Sequence, residues 1–220
     1  MKLSVIVPTL DEAACIAAGL HALAPLRAQG HEVIVVDGGS RDGTQELAQA
    51  LCDRLLSSRP GRAAQMNAGA RAAKGDALVF LHADSSLPRG AEDLIRKALE
   101  TRLWGRFDVE IHGRHRLLKL VAWSMNLRSR LTGIATGDQA IFVRRDAFPG
   151  FPEIALMEDV AFSKAMRRRA APACVAERAV TSGRRWESRG VLRTIVLMWQ
   201  LRLLYFFGVP PERLERLYRS

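Results

Sequence analysis

Glu32-Val33-Ile34-Val35-Val36-Asp37-Gly38-Gly39-Ser40 is the stretch that decides the fold. Its β-branched residues run on without polar alternation, so it reads as a strand covered on both faces, the mark of a parallel sheet. Asp37 ends the strand, and Gly38 and Gly39 let the backbone turn sharply and approach a flat ligand closely. Runs of the same kind fill residues 3–7 and 77–81, and a shorter strand is expected at 55–57. Between them, helical spacing covers 12–28 (bent or ended by Pro25), 44–51 and 62–73. This alternation of strand and helix predicts an α/β domain with a mostly parallel sheet flanked by helices.

In open sheets of this kind, ligands bind beyond the carboxyl ends of the strands. Three polar loops fall there: Pro8-Thr9-Leu10-Asp11-Glu12, Asp37-Gly38-Gly39-Ser40 and His82-Ala83-Asp84-Ser85. Asp37 could accept hydrogen bonds from a base or ribose, whereas Asp42 and Thr44 read as turn and cap residues. Asp84 is either a turn residue or a ligand for a divalent ion. Mg²⁺ takes one or two protein carboxylates and fills its other positions with water and phosphate oxygens. His82 stands two residues before it as a second candidate ligand. Arg62, after Pro60-Gly61, opens a helix whose free N–H groups suit a diphosphate, unless it is a solvated surface arginine. Asn67 and Gly69 read as packing or polar lining.

The second half predicts a helix at 90–101, a strand at 104–111 and a basic amphipathic helix at 114–131. A glycine-punctuated loop at 133–137, a strand at 140–143 and a Pro/Gly-rich turn follow, then a helix from near Met157. The helical region 189–218 is broken by Pro210-Pro211. Glu158-Asp159 precedes an apolar-periodic run, the usual place for acids that complement a helix dipole. Alternatively, Asp159 is a general base that takes a proton from a hydroxyl. Arg184-Arg185-Trp186-Glu187 is expected as a loop that closes over phosphates or stacks on a ligand.

The 33 basic and 23 acidic residues leave a formal charge of +10. Such a surplus attracts phosphates, anionic lipid or nucleic acid without choosing among them. No helix-turn-helix, RNP or zinc pattern is present and the cations are dispersed, so nucleic acid is not an expected partner. Three widely spaced cysteines suggest neither a disulfide framework nor a metal site, and a reducing cytoplasm fits them. Only Lys2 precedes a first apolar run that Pro8 closes, too brief for a signal peptide. The apolar stretch 191–209 contains Arg193, Gln200 and Arg202, which suits a helix lying on a bilayer or on a partner better than a span. One domain over 1–188 is therefore expected, followed by an amphipathic helical segment over 189–220 for membrane-surface or homodimer contact. Peripheral attachment to the inner face of the cell membrane is the matching location.

Taken in order, Val7-Pro8-Thr9-Leu10-Asp11-Glu12, Val35-Val36-Asp37-Gly38-Gly39-Ser40-Arg41-Asp42-Gly43-Thr44, Gly61-Arg62-Ala63-Ala64-Gln65-Met66-Asn67, Leu81-His82-Ala83-Asp84, Gly137-Asp138-Gln139 and Met157-Glu158-Asp159 resemble family 2 glycosyltransferases. The resemblance spans 3–185 and implies the Rossmann-like GT-A fold. Within the family it is nearest to a small bacterial subgroup associated with radical-SAM gene clusters. It implies that Pro8, Glu12 and Asp37, with Thr9 and Gly39, hold a nucleoside, and that Arg62 assists the nucleotide. Asp84 would meet a diphosphate bound to Mg²⁺ or Mn²⁺. Asp138, Gln139, Glu158, Arg184, Arg185 and Trp186 would belong to the diphosphate or acceptor loops, and Asp159 would activate the acceptor. His82 replaces the first acid of the family's Asp-x-Asp motif. The implied reaction is an inverting transfer from a nucleoside-diphosphate sugar to an acceptor hydroxyl, with lipid-linked acceptors among the candidates. The rival expectation is a membrane-surface adaptor that binds a nucleotide without chemistry. Nucleotidyl transfer is set aside because no P-loop pattern occurs.

Overall fold

The computed structural model describes residues 1–219; Ser220, the last residue of the expected C-terminal segment, lies outside them. β1 (Leu3–Thr9), β2 (Glu32–Asp37), β3 (Arg54–Ser57) and β4 (Ala77–Phe80) pair in parallel, with β1 between β2 and β4. β5 (Ser85–Ser86), β6 (Trp104–His112), β7 (Phe142–Arg144) and β8 (Ala173–Ser182) complete an eight-stranded sheet of order β3-β2-β1-β4-β7-β6-β8-β5. β7 runs antiparallel to both β4 and β6, while β6 and β8 are parallel.

The unbroken apolar runs have a simple cause: each strand feeds two cores. Val5, Val7, Val33, Val35 and Val79 face one side, where Ile16 and Leu20 of α1 (Ile16–Ala22) cover them. Ile6, Ile34, Val36, Leu78 and Phe80 face the other, against Ala63, Met66 and Ala70 of α4 (Arg62–Ala72). Each such aliphatic side chain contributes about 1.5–3 kcal/mol when fully buried. Gly69 lets α4 settle onto β1, since a Cβ there would meet Ile6 Cγ2 at 2.5 Å.

The predicted helix over 12–28 divides into α1 and α2 (Ala24–Ala28). Pro25, in the first turn of α2, has no N–H to continue the earlier ladder. α3 (Thr44–Gln49) and α5 (Ala91–Thr101) lie near their expected positions. β7 starts two residues late because Ala140 turns with φ 45° after a 3₁₀ turn over Gly137–Gln139. β8 is an addition to the expected elements. Its register against β6 jumps from Phe107–Val175 to Asp108–Arg178, and this bulge breaks the period of two that marks a strand in sequence.

α6 (Leu117–Thr132), α7 (Glu158–Arg169), α8 (Arg184–Arg189), α9 (Val191–Phe206) and α10 (Pro211–Arg219) form the rest. The expected boundary between 188 and 189 falls inside α8. α9 inserts Val191 among Val109, Ile111 and Leu118, and Leu201 among Met157, Val160 and Leu214. The C-terminal helices are thus packed against α6 and the start of α7. Leu120, Trp123, Leu127 and Leu131 of α6 and Leu192, Val196, Trp199, Leu203 and Phe206 of α9 are exposed at helical spacing. No helix among the described residues is long and apolar enough to cross a membrane.

Candidate active site

The parallel register sets Thr9 beside Asp37 at the carboxyl ends of β1 and β2. Asp37 is wholly buried. Its Oδ1 accepts from the backbone N–H of Gly39 (2.9 Å) and Ser40 (2.8 Å) and from Gln45 Nε2 (2.7 Å). Its Oδ2 accepts from Thr9 Oγ1 (3.1 Å) and Ser40 Oγ (2.5 Å). Burial works against its charge, but these donors prevail and hold the carboxyl below the usual range. The carboxylate is thereby occupied by its own loop, so the nucleoside contact implied by resemblance requires one internal bond to yield. Gly39 carries φ 96°, which makes the turn possible.

Gln65 on α4 ties the first two loops together, donating from Nε2 to Thr9 O (2.6 Å) and Val36 O (3.0 Å). Its only sequence signal is an amide inside an alanine-rich helix. Asp42 does what its spacing suggests, accepting from Thr44 N (3.1 Å) and Oγ1 (2.5 Å). Pro8 is half-buried beside Thr9. Glu12 is held from the far end of the chain: Arg185 Nη2 donates to Oε1 (2.6 Å), and Arg184 Nη2 lies 3.5 Å from Oε2. Cys15 Sγ donates to the same carboxylate at 3.2 Å. Burial, then Glu12, push the thiol up to about 12, so it is no nucleophile.

The segment 184–187 departs from expectation. It is the start of helix α8 rather than a free loop, because Gly183 N–H and the Glu187 carboxylate bind it to the end of β6. Trp186 packs on the cluster of Val109, Ile111 and Leu118 instead of standing free to stack. Arg184 and Arg185 keep about half of their side-chain surface exposed.

At the end of β4, His82 Nδ1 lies 3.3 Å from Asp138 Oδ1. Its Nε2 is buried and faces Gly137, where a Cβ would come within 2.5 Å of it. His82 is therefore engaged on one nitrogen and shut off on the other, and the arrangement does not suit it as a metal ligand. Among the described residues Asp84 receives only a long bond from Ser85 Oγ, at 3.4 Å, which leaves its lone pairs open. Among the described residues no three His, Cys, Asp or Glu side chains cluster to hold an ion. The donor set thus fits a divalent ion resting on Asp84 and ligand phosphate oxygens, not a closed protein cage.

Across from these loops, Arg62 Nη1 lies 3.3 Å from Glu158 Oε1, and Glu158 is 3% exposed. Burial raises the Glu158 carboxyl in spite of Arg62. Burial also opposes the Arg62 cation, but Glu158, Asp159 and Asp138 together raise its pKa. For Asp138 burial opposes the charge, and His82, Arg62 and Arg185 override it and lower the carboxyl. Arg62, His82, Asp138, Glu158, Asp159 and Arg185 thus sense one another's charge, although they come from five separate segments. Gly137 N–H donates to Asp159 Oδ2 at 3.0 Å, which orients that carboxylate. Met157, just before it, has φ 71°, an uncommon conformation for a side-chain-bearing residue. Gln139 differs from its expected place. It is fully buried, bonded through Oε1 to Thr136 N (3.2 Å) and through Nε2 to Asn126 Oδ1 (3.3 Å), so it shapes the loop without facing a ligand.

Two further arginines enter this environment. Arg128 of α6 and Arg202 of α9 both sense Asp159, and neither was singled out as a site residue in the sequence. Their signal there is a cation on an otherwise apolar helix segment. A cavity of about 590 Å³ opens elsewhere, between Arg114, Glu187 and Arg193, and none of Asp37, Asp84 and Asp159 lines it.

Comparison with known proteins identifies the family and the fold. A PGL/p-HBAD biosynthesis glycosyltransferase of Mycobacterium bovis is 40% identical over 91 residues, which cover 38% of this chain and 36% of the relative. The undecaprenyl-phosphate 4-deoxy-4-formamido-L-arabinose transferase of Aeromonas hydrophila is 29% identical over 160 residues, covering 64% of this chain and 47% of the relative. The chain spans less than half the length of either. Glucosyl-3-phosphoglycerate synthase from Mycobacterium tuberculosis, in complex with Mn²⁺, UDP and glucosyl-3-phosphoglycerate, superposes with a TM-score of 0.63 at 21% identity. That match covers 95% of this chain and 81% of the other, and the shared architecture is the GT-A fold. Residues 4–148, well over half of the sequence, match the pattern of Glycosyl transferase family 2, and the chain belongs to that family.

Proposed function

We propose that the chain transfers a glycosyl unit from a nucleoside-diphosphate sugar to an acceptor hydroxyl. The observation that carries this reading is the gathering of Arg62, Asp138, Glu158 and Asp159 from separate segments: Arg62 pairs with Glu158, Asp138 with His82 at the end of β4, and the adjoining Gly137 N–H with Asp159. The family match over residues 4–148, and a fold shared with a protein crystallised with UDP and Mn²⁺, support it. Pro8, Thr9, Glu12, Asp37 and Gly39 would form the nucleoside end of the donor site, and Arg62 and Arg185 would face its phosphates. When bound, a Mg²⁺ or Mn²⁺ ion on Asp84 would neutralise charge growing on the departing diphosphate.

Asp159, aimed by the Gly137 N–H, accepts the proton of the acceptor hydroxyl. The acceptor oxygen forms a bond to the anomeric carbon while the bond from that carbon to the diphosphate oxygen breaks. The products are the glycosylated acceptor and a free nucleoside diphosphate, with the configuration inverted. Arg62 and Arg185 would place positive charge opposite the leaving group, which favours the transition state electrostatically.

The C-terminal helices, with α6, support attachment to an anionic membrane surface. Their exposed stripes include Trp123 and Trp199, the residue type that favours the bilayer interface, on a chain of net charge +10.

Thermal shift against a panel of nucleoside-diphosphate sugars, with and without Mn²⁺, tests the enzymatic reading. At least one donor is expected to raise the melting temperature, since a ligand that binds only the folded state stabilises it by about 2.7 kcal/mol at a hundred times its Kd. Silence towards every sugar donor, with UDP or GDP alone still binding, favours the nucleotide-binding adaptor.

A further inference from the structure

Among the described residues, four of the arginines that are buried or half-buried have an acceptor: Arg106 pairs with Asp108, Arg62 with Glu158, Arg27 with Asp53, and Arg54 with the Ala72 carbonyl. Arg128 is different. Its Nε and Nη2 are withdrawn from solvent and reach no hydrogen-bond partner among the described residues. α6 and α9 touch, and Leu201 anchors α9 against Met157 and Val160 at the start of α7. Arg202, next to that anchor, is half-buried and also forms no ion pair or hydrogen bond among the described residues.

The electrostatics agree with the geometry. Burial first, then the like charge of Arg202, pull Arg128 down to about 10, and Asp159 offsets this only in part. Burial likewise lowers Arg202, against the attraction of Asp159 and Asp138. Two cations withdrawn from water beside each other repel and lack hydration, a costly arrangement unless an anion completes it. Guanidinium groups match phosphate in shape as well as charge. A phosphomonoester carries about −1.5 to −2 at neutral pH, which balances two arginines, whereas a carboxylate leaves one of them uncompensated.

Resting on the proposed function, we propose that Arg128 and Arg202 bind a phosphate group carried by the acceptor and so present its hydroxyl to Asp159. The donor's diphosphate is assigned to Asp84, Arg62 and Arg185, so the two anion sites are separate. The phosphate belongs either to a soluble phosphate ester or to a lipid headgroup, and the exposed apolar stripes of the same two helices accommodate the second source.

The purified full chain is titrated with inorganic phosphate by calorimetry, alone and with UDP and Mn²⁺ at saturation. Phosphate is expected to bind in both conditions. Arg128→Gln and Arg202→Gln are expected to weaken it at least tenfold each while changing UDP affinity less than twofold. Removing one of two repelling cations is also expected to raise the melting temperature of the unliganded chain by about 2–4 °C, which shows that the variants fold. Glycerol 3-phosphate and vesicles of phosphatidylcholine with phosphatidic acid form two arms; whichever binds in an Arg128- and Arg202-dependent way identifies the source. Phosphate that competes with UDP, that ignores both substitutions, or that fails to bind while UDP binds overturns the acceptor site and leaves the glycosyltransferase reading standing. Failure of UDP and every other nucleotide to bind defeats that reading instead.

Discussion

Asp37 at the end of β2 and Arg128 on α6 are both charges withdrawn from water, and the protein treats them in opposite ways. The Asp37 carboxylate receives five hydrogen bonds from Thr9, Gly39, Ser40 and Gln45. Arg128 holds two N–H positions for which the described residues offer no acceptor. A region that satisfies its own polar groups is a finished scaffold, rigid before any ligand arrives. A region with unanswered donors gains most when something binds, because the ligand removes an existing penalty as well as adding contacts. The loops after β1 and β2 are of the first kind, and the crossing of α6, α7 and α9 is of the second.

The largest effect that would sharpen this contrast lies with Asp159. Asp159→Asn keeps the Gly137 contact within reach but removes the proton acceptor, and transfer is expected to fall by at least about a hundredfold with donor affinity unchanged. Steady-state rates paired with donor titrations check it, and near-normal turnover would take Asp159 out of the chemistry. Asp37→Asn should act through the fold instead, costing about 2–3 kcal/mol in urea unfolding at pH 7, in line with hydrogen bonds to a charged group.

The two regions should also answer pH with opposite signs. Asp37 is held below its unfolded value of 3.8, so its contribution is present above that pH and is lost as pH falls through the lower folded value. The deficit of Asp37→Asn should therefore shrink at pH 3. Glu158 is raised above 4.5, so its contribution is full below that pH and is lost as pH rises through the folded value. Glu158→Gln should accordingly gain on the parent chain from pH 4.5 upward. Parallel slopes for the two variants would erase the distinction. The smallest effect on stability is expected at Trp123→Ser with Trp199→Ser, within about 0.5 kcal/mol each for exposed positions. The same pair should abolish flotation with anionic liposomes, unless the stripes bind a second copy, in which case sedimentation shifts and flotation does not.

The finished half was also the more legible one. Two-sided burial writes itself into residues 3–7, 32–36 and 77–81 as unbroken apolar runs, and the polar residues that follow them mark the strand ends. Asp42 and Thr44 were readable as turn residues because their contact is local, although Gly43 stands at the cap position itself. What escaped was long-range. The bond of Gln65 to Thr9 and Val36 joins residues distant in sequence, and nothing in an alanine-rich helix announces it. β8 was hidden by its bulge, and the segment 184–187 became helical because Glu187 reaches back to Arg114 and His115. Arg128 and Arg202 look, in sequence, like any arginines on amphipathic helices; only the crossing of α6 and α9 reveals that they lack partners.

Gly137 joins the two regions through a single peptide unit. Its bare Cα abuts the His82 ring, and its N–H aims the Asp159 carboxylate. One short piece of backbone therefore serves two neighbours at once, and a single added methyl group there would collide with the imidazole and displace the N–H that orients the carboxylate.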